Sequence, residues 1–166
     1  MIQRIQSVYL LLVAALLGSL FFFDVLSWEG NSPVHKESVE VAASVKGFTT
    51  TVGENSTQNQ DGDTTAITLS FLVGFLTVMS LLAIFQYKSR SLQLKLAGLV
   101  ALASLALAML IGYMSFQIAN GIMLEAPKFV FQPGISALLL ATVFCLLARR
   151  NIRKDEKLVR SADRIR

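Results

Sequence analysis

The stretch LAGLVALASLALAMLIGYMSF, residues Leu96–Phe116, decides the fold of this chain. It has no charged side chain and is about as long as the roughly 20 apolar residues with which a helix crosses a bilayer. Three further segments share this character, and the predicted spans are about 5–26, 66–87, 92–116 and 133–150. The chain of 166 residues is 54% hydrophobic and 16% charged. A bilayer accepts that much apolar surface, so we expect an all-α membrane protein.

Two segments need a closer reading. The first follows Arg4, as the apolar part of a cleaved signal peptide would. It is longer than the usual stretch of about 7–15 residues, and no small-residue cleavage site follows the sequence FFFD, so we expect it to remain as a span. The fourth is predicted to begin at Pro133, because proline suits the first turn of a helix. The stem of Arg149 would then reach the interface by snorkelling.

Lysine and arginine are distributed unevenly between the two sides that four spans define. Three basic residues lie on the outer side, namely Lys36, Lys46 and Lys128. Twelve lie on the other side, namely Arg4, Lys88, Arg90, Lys95, Arg149, Arg150, Arg153, Lys154, Lys157, Arg160, Arg164 and Arg166. Because cytoplasmic segments carry the excess of Lys and Arg, we expect both termini to be cytoplasmic. This asymmetry accounts for the net charge of +4, and nucleic acid is not an expected partner.

The outer loop, residues 27–65, is predicted to contain a small extracytoplasmic β-element. Residues 39–52 alternate apolar with polar or small side chains around a Lys-Gly turn, which is typical of a β-hairpin. Residues 128–131 are predicted to add an edge strand to it, since an isolated hairpin is marginal in water. Residues 53–63 are polar, with glycine and asparagine, and are expected to be loose.

Small residues recur along the third span at the spacing of helix packing. They are Ala97, Ala101, Ser104, Ala108 and Gly112. Small side chains let helix backbones approach closely where no hydrophobic force drives association. One interpretation is a dimerisation seam. The other, which we favour, is packing within the four-helix bundle.

Patterns that indicate catalysis or transport are missing from the sequence. The cores of the four spans have no charged residue of the kind that marks an ion path; Asp24 and Lys95 lie near span ends. HExxH, GxSxG and Walker A patterns are absent. His35 with Glu37 is a conceivable metal or base pair, but a lone loop histidine is more commonly solvated. We expect no catalytic site, no metal site and no cofactor.

The last eighteen residues, RRNIRKDEKLVRSADRIR, are predicted to continue the fourth helix into a cytoplasmic tail, residues 151–166. Three interpretations stay open: an amphipathic helix held by anionic lipid headgroups, a docking site for a cytoplasmic partner (protein or RNA), and a plain topology anchor. The far end of the tail lies beyond what anchoring requires. The candidate lipid or partner contacts are Arg153, Lys157, Arg160, Arg164 and Arg166.

Both ends of the chain resemble a known family. The sequences MIQRIQSVYLLLVAALL, residues 1–17, and ARRNIRKDEKLVRSADRIR, residues 148–166, are similar to the ends of an uncharacterised family of bacterial four-span inner-membrane proteins. That family is defined as a domain of unknown function. The resemblance implies a Gram-negative inner membrane and a periplasmic outer loop, and it transfers no activity or site residue.

The expected protein is a four-helix transmembrane bundle with a small extracytoplasmic β-element. We expect a non-catalytic accessory or interaction protein of the cell envelope, in contact with the bilayer and with an envelope or cytoplasmic protein. One alternative is a small-solute transporter or channel acting as an oligomer, which a polar path between the helices would favour. The second is a membrane enzyme with a periplasmic-face site, which a deep polar pocket near His35, Glu37 and Glu125 would favour.

Overall fold

The computed structural model describes residues 3–31, 38–52, 56–59, 63–86, 89–122 and 124–163. Within these ranges the chain forms four helices and five strands. In chain order they are α1 (Gln3–Ser19), β1 (Leu26–Asn31), β2 (Ser38–Ser44), β3 (Gly47–Val52), β4 (Ser56–Asn59), α2 (Asp63–Phe85), α3 (Arg90–Gly121), β5 (Glu125–Val130) and α4 (Pro133–Asp163).

The helices pack as a closed ring around an apolar core. Helix α1 contacts α2 and α4, and α3 contacts the same two neighbours. Leu17, Leu76, Leu107 and Leu138, one from each helix, are almost fully buried in that core. By length and composition α2, α3 and α4 are apolar enough to cross a membrane, whereas α1 is apolar but shorter.

Helix α1 ends at Ser19, short of residue 26, where the sequence places the end of the first span. Residues 20–22 continue in tight turns, with the Leu20 N–H donating to the Leu17 carbonyl at 3.3 Å. The Val25 N–H then donates to the Ala43 carbonyl of β2 at 2.7 Å. The backbone after Ser19 therefore finds its hydrogen bonds in the sheet, which removes the need for further helical turns.

The start of α4 is held by the connector between α1 and β1. The N–H groups of Gly134 and Ile135 donate to the carbonyls of Asp24 and Val25, both at 3.0 Å. The first N–H groups of a helix have no partner inside the helix, so these two bonds satisfy donors that burial would otherwise leave unpaired. Pro133, at the first position, has no N–H to satisfy.

The five strands form one antiparallel sheet in the order β4-β3-β2-β1-β5. The predicted hairpin is confirmed as β2 and β3, with Ser44 opposite Gly47 and a turn between them. Gly47 has a φ of +124°, a conformation that side-chain-bearing residues rarely adopt, which explains glycine at this turn.

The structure corrects two predictions for the sheet. The predicted edge strand is present as β5 at one edge of the sheet. It pairs with β1 and not with the hairpin, because β1, which was not predicted as a strand, lies between them. Strand β4 falls inside the stretch expected to be loose, where it pairs with β3 through backbone bonds that need no apolar side chain. The rest of that stretch lies outside the described residues, apart from Asp63, the first residue of α2.

The sheet sits against one end of the bundle. Val39 and Val41 of β2 are buried together with Ala119 and Leu124, at the end of α3 and just beyond it. Trp28 of β1 donates from Nε1 to Oγ of Ser115 at 3.1 Å. We call the end of the bundle that contacts the sheet the sheet end. The opposite end, where α3 begins at Arg90 and α4 extends past Arg149, is the basic end.

Gly134→Ala is expected to destabilise the protein. A Cβ there would lie 2.5 Å from the Asp24 carbonyl oxygen, which is backbone and has little room to shift. Overpacking of this kind typically costs about 1–3 kcal/mol. The measurement is the thermal unfolding midpoint of the purified protein in mild detergent.

The matched control is Gly112→Ala in the middle of α3, where an added Cβ meets nothing within 4 Å. Alanine is the better helix former by about 1 kcal/mol, so this variant should melt at the same temperature or higher. A gain in stability from Gly134→Ala would contradict the close approach of α4 to the connector.

Candidate functional site at the basic end

Basic side chains of α4 line a cavity at the basic end. Arg153 and Lys157, two of the predicted contact residues, are exposed and lie one turn apart. The cavity is about 310 Å³ and is lined by Leu146, Arg149, Arg150, Arg153, Lys154 and Lys157. Arg160 belongs to α4, but its side chain is not described, and Arg164 and Arg166 lie outside the described residues.

The first turns beyond the predicted fourth span are packed on the bundle. Ile152 is fully buried, although it lies in the segment predicted as a cytoplasmic tail. Asp155 forms an ion pair with Arg90 of α3, with Nη1 and Oδ2 3.2 Å apart, and both side chains are less than a third exposed. Nη1 of Arg90 also donates to the Asp155 carbonyl at 3.4 Å. The helix is thus fixed to the start of α3 at this level.

Arg149 lies across the backbone of α3 at Gly98. A Cβ added to Gly98 would stand 3.2 Å from Cζ and 3.3 Å from Nη1 of Arg149. The guanidinium therefore occupies space that a side chain at position 98 would need. Nε of Arg149 is buried and has no hydrogen-bond partner among the described residues. Buried donors are normally paired, so this atom marks a place where a further acceptor would be favourable.

An open apolar groove of about 540 Å³ starts at the same arginine and follows α3. It is lined by Lys95, Gly98, Leu99, Leu102, Ala103, Ala106 and Arg149. Two cations stand at one end of the groove, and the rest of its wall is aliphatic. The groove and the basic cavity share Arg149. Sequence reasoning did not find this pairing, because Gly98 looks like one more small residue of α3.

The small-residue stripe of α3 is divided between the interior and its edge. Ala101 and Ser104 are buried, and Oγ of Ser104 lies 2.8 Å from Oγ1 of Thr142 on α4. Ala108 and Gly112 are half-buried, and the interior positions at their level are Leu107 and Ile111. The small residues from 97 to 112 recur about every 3.75 residues, against 3.6 per helical turn, so the stripe drifts about 60° round the helix.

Acidic residues face one another on the sheet. Glu29 of β1 stands opposite Glu40 of β2 on one side and opposite Lys128 of β5 on the other. A cavity of about 240 Å³ beside them is lined by Glu29, Ser38, Val39, Glu40 and Thr51. Within the described ranges no group of three or more His, Cys, Asp or Glu side chains is arranged to hold a metal ion. His35 and Glu37 lie outside those ranges, as does the side chain of Glu125.

Enlarging the stripe residues is expected to destabilise the protein in the order of their burial. Ala101→Leu should cost about 1–3 kcal/mol, because Ala101 is packed in the core. Ala108→Leu should cost less, since Ala108 contacts the core only in part. Gly112→Leu, which has open space beside it, is the control with a near-native unfolding midpoint in detergent. If Ala101→Leu and Gly112→Leu lowered stability equally, the burial of a position would not determine how much its enlargement destabilises the protein.

A comparison with protein families matches residues 2–165 to the family described as Domain of unknown function (DUF4293). A comparison with curated proteins found no match. The family match covers nearly the whole chain, including the four helices, the sheet and the basic end, and it agrees with the resemblance to an uncharacterised family. The chain belongs to the DUF4293 family of domains of unknown function.

Proposed function

We propose that this chain is a four-pass protein of the bacterial inner membrane with both termini in the cytoplasm. Its role is that of a non-catalytic accessory or interaction protein of the cell envelope. The sheet end would face the periplasm, and the basic end would contact anionic lipid headgroups. A protein partner is expected at one of these two ends.

The observation that carries the proposal is the outer surface of the helices. Phe71, Phe85 and Leu102 are 74%, 75% and 73% exposed, and many other large apolar side chains of the four helices also point outward. Soluble monomers rarely expose contiguous apolar patches larger than a few hundred Å². Lipid chains cover such a surface at no cost, which favours a bilayer around the bundle.

Helix α1 also fits a span, although it is the shortest helix. Its 17 residues measure about 25 Å at a rise of 1.5 Å per residue, against a hydrocarbon core of about 30 Å. Phe22 and Phe23 follow the helix and are exposed, so apolar surface continues toward the sheet end. Val8 and Leu11 point outward along α1, while Leu10, Val13 and Leu17 are buried against the other helices.

The interior contacts favour a packed bundle over a conduit for solutes. Oγ of Ser104 donates to the Ala101 carbonyl at 3.0 Å, Oγ1 of Thr77 to Val73 at 2.9 Å, and Oγ of Ser115 to Gly112 at 3.0 Å. These hydroxyls bond to the backbone of their own helices, and aliphatic side chains fill the space between. The transporter alternative would need polar groups that face one another along a continuous path.

The orientation is tested with reporter fusions after residues 60, 90, 121 and 166. A reporter active only in the periplasm should work after 60 and 121, and a cytoplasmic reporter should work after 90 and 166. The physical reason is the excess of Lys and Arg in the segments near residues 90 and 166, since cytoplasmic segments carry that excess. Periplasmic activity of a fusion after Arg166 would overturn the topology.

The contact of the tail with lipid is tested with a spin label at Ser161→Cys in a Cys145→Ala background. Cys145 is buried and lies between Ala141 and Ala148 on the same face of α4, so alanine is a mild replacement. In bilayers with phosphatidylglycerol the label should be less mobile than in phosphatidylcholine alone. Each basic residue near an anionic surface contributes about 1 kcal/mol, which salt screens.

The matched variant replaces Arg153 and Lys157 by glutamine and should release the label in anionic bilayers. A label that stays immobile at high salt would indicate a packed protein contact instead of a lipid contact. Equal mobility in both bilayers at low salt, for the native tail and the glutamine variant alike, would reduce the tail to a topology anchor and refute the lipid contact.

A further inference from the structure

We infer that the groove formed by Lys95, Gly98 and Arg149 binds one anionic phospholipid of the cytoplasmic leaflet. Its phosphate would meet the two cations, and one acyl chain would lie along α3 past Leu102 and Ala106. The inference rests on the membrane placement proposed above and adds a defined ligand and a defined position to it.

The depth of the groove matches the position of a phospholipid headgroup. Trp28 bonds Ser115 at the sheet end, which is where an interfacial tryptophan is expected. From Ser115 to Gly98 and Lys95, α3 descends about 25–30 Å at 1.5 Å per residue. That distance is close to the thickness of the hydrocarbon core, so both cations reach the opposite interface. The aliphatic part of the groove then runs back into the core.

The guanidinium of Arg149 has one buried donor, Nε, with which no described residue pairs. A charged side chain at the edge of the hydrocarbon is costly unless it is paired. The planar guanidinium presents several donors in a fixed fork that fits phosphate oxygens. A lipid phosphate in the groove would accept hydrogen bonds from the guanidinium and neutralise its charge.

Gly98 gives this arginine its position. Because glycine has no side chain, the guanidinium occupies the space beside the α3 backbone at position 98, where it lines the groove. A larger residue at position 98 would displace the tip of the Arg149 side chain. A flexible side chain is easier to move than backbone. The fold should therefore tolerate Gly98→Leu, while Arg149 would be pushed out of the groove.

The lining of the groove selects a lipid over a small anion. Two cations, Lys95 and Arg149, and an aliphatic wall belong to the same groove. A soluble phosphate would use the cations and leave the wall formed by Leu99, Leu102 and Ala106 empty. A molecule with a phosphate and an acyl chain uses both parts, and the phospholipids around the bundle have this structure.

The test is native mass spectrometry of the full chain in mild detergent, titrated separately with phosphatidylglycerol, phosphatidylcholine and glycerol phosphate. The wild-type chain should bind one phosphatidylglycerol more tightly than phosphatidylcholine, and glycerol phosphate should not compete. Arg149→Gln, Lys95→Gln and Gly98→Leu should each weaken that binding about fivefold, the ratio that corresponds to about 1 kcal/mol per cation.

Two control variants separate the groove from general effects. Lys128→Gln removes one charge at the sheet end, and Gly112→Leu adds the same side chain elsewhere on α3; both should bind as the wild type does. Equal binding of the two lipids, competition by glycerol phosphate, or an equal loss in Lys128→Gln would each overturn the lipid site. The binding is measured in detergent and does not depend on orientation, so a failed topology would appear in the reporter fusions and not here.

Discussion

The arrangement of this protein depends on two hydrogen bonds, from the N–H groups of Gly134 and Ile135 to the carbonyls of Asp24 and Val25. They join the start of α4 to the connector between α1 and β1. The same connector reaches β2 through Val25, so one short stretch of backbone fixes a helix, a sheet and the angle between them. This contact leaves no room for a side chain at position 134, which explains the glycine in the first turn of α4.

A second close approach, at the other end of the bundle, also depends on a glycine but serves a different purpose. At Gly134 backbone meets backbone, and at Gly98 backbone meets the charged tip of Arg149. The ion pair of Arg90 with Asp155 holds α4 on α3 between one and two turns further along, and Ile152, which lies between Arg149 and Asp155, is buried. Arg149 is therefore positioned between two fixed levels, the Ser104–Thr142 contact and the Arg90–Asp155 pair. The side chain of Arg149 is half-buried, and its Nε is the part that is enclosed without a partner among the described residues.

The structural features that the sequence predicts well are determined by short stretches of chain. The long apolar runs of α2, α3 and α4 follow from local composition, and Pro133 marks a helix start by its own chemistry. The hairpin of β2 and β3 is likewise local, with a glycine at its turn. Strand β1 escaped prediction because glycine and asparagine read as a turn, whereas pairing with β2 and β5 on both sides decides its conformation. The contact of Arg149 with Gly98 depends on the register of two antiparallel helices, and no local pattern reports that register.

The strand order has a consequence for how the chain is made. Strand β1 lies between β2, which follows it closely, and β5, which is synthesised only after α2 and α3. During translation β1 therefore has one open edge while two helices emerge, and α4 arrives last to close the junction at Gly134. Contacts that join distant parts of a chain form slowly, and unpaired strand edges invite wrong partners in the meantime. Biogenesis of this protein is thus most vulnerable in the interval between the emergence of β2 and that of β5, when the sheet lacks its final strand.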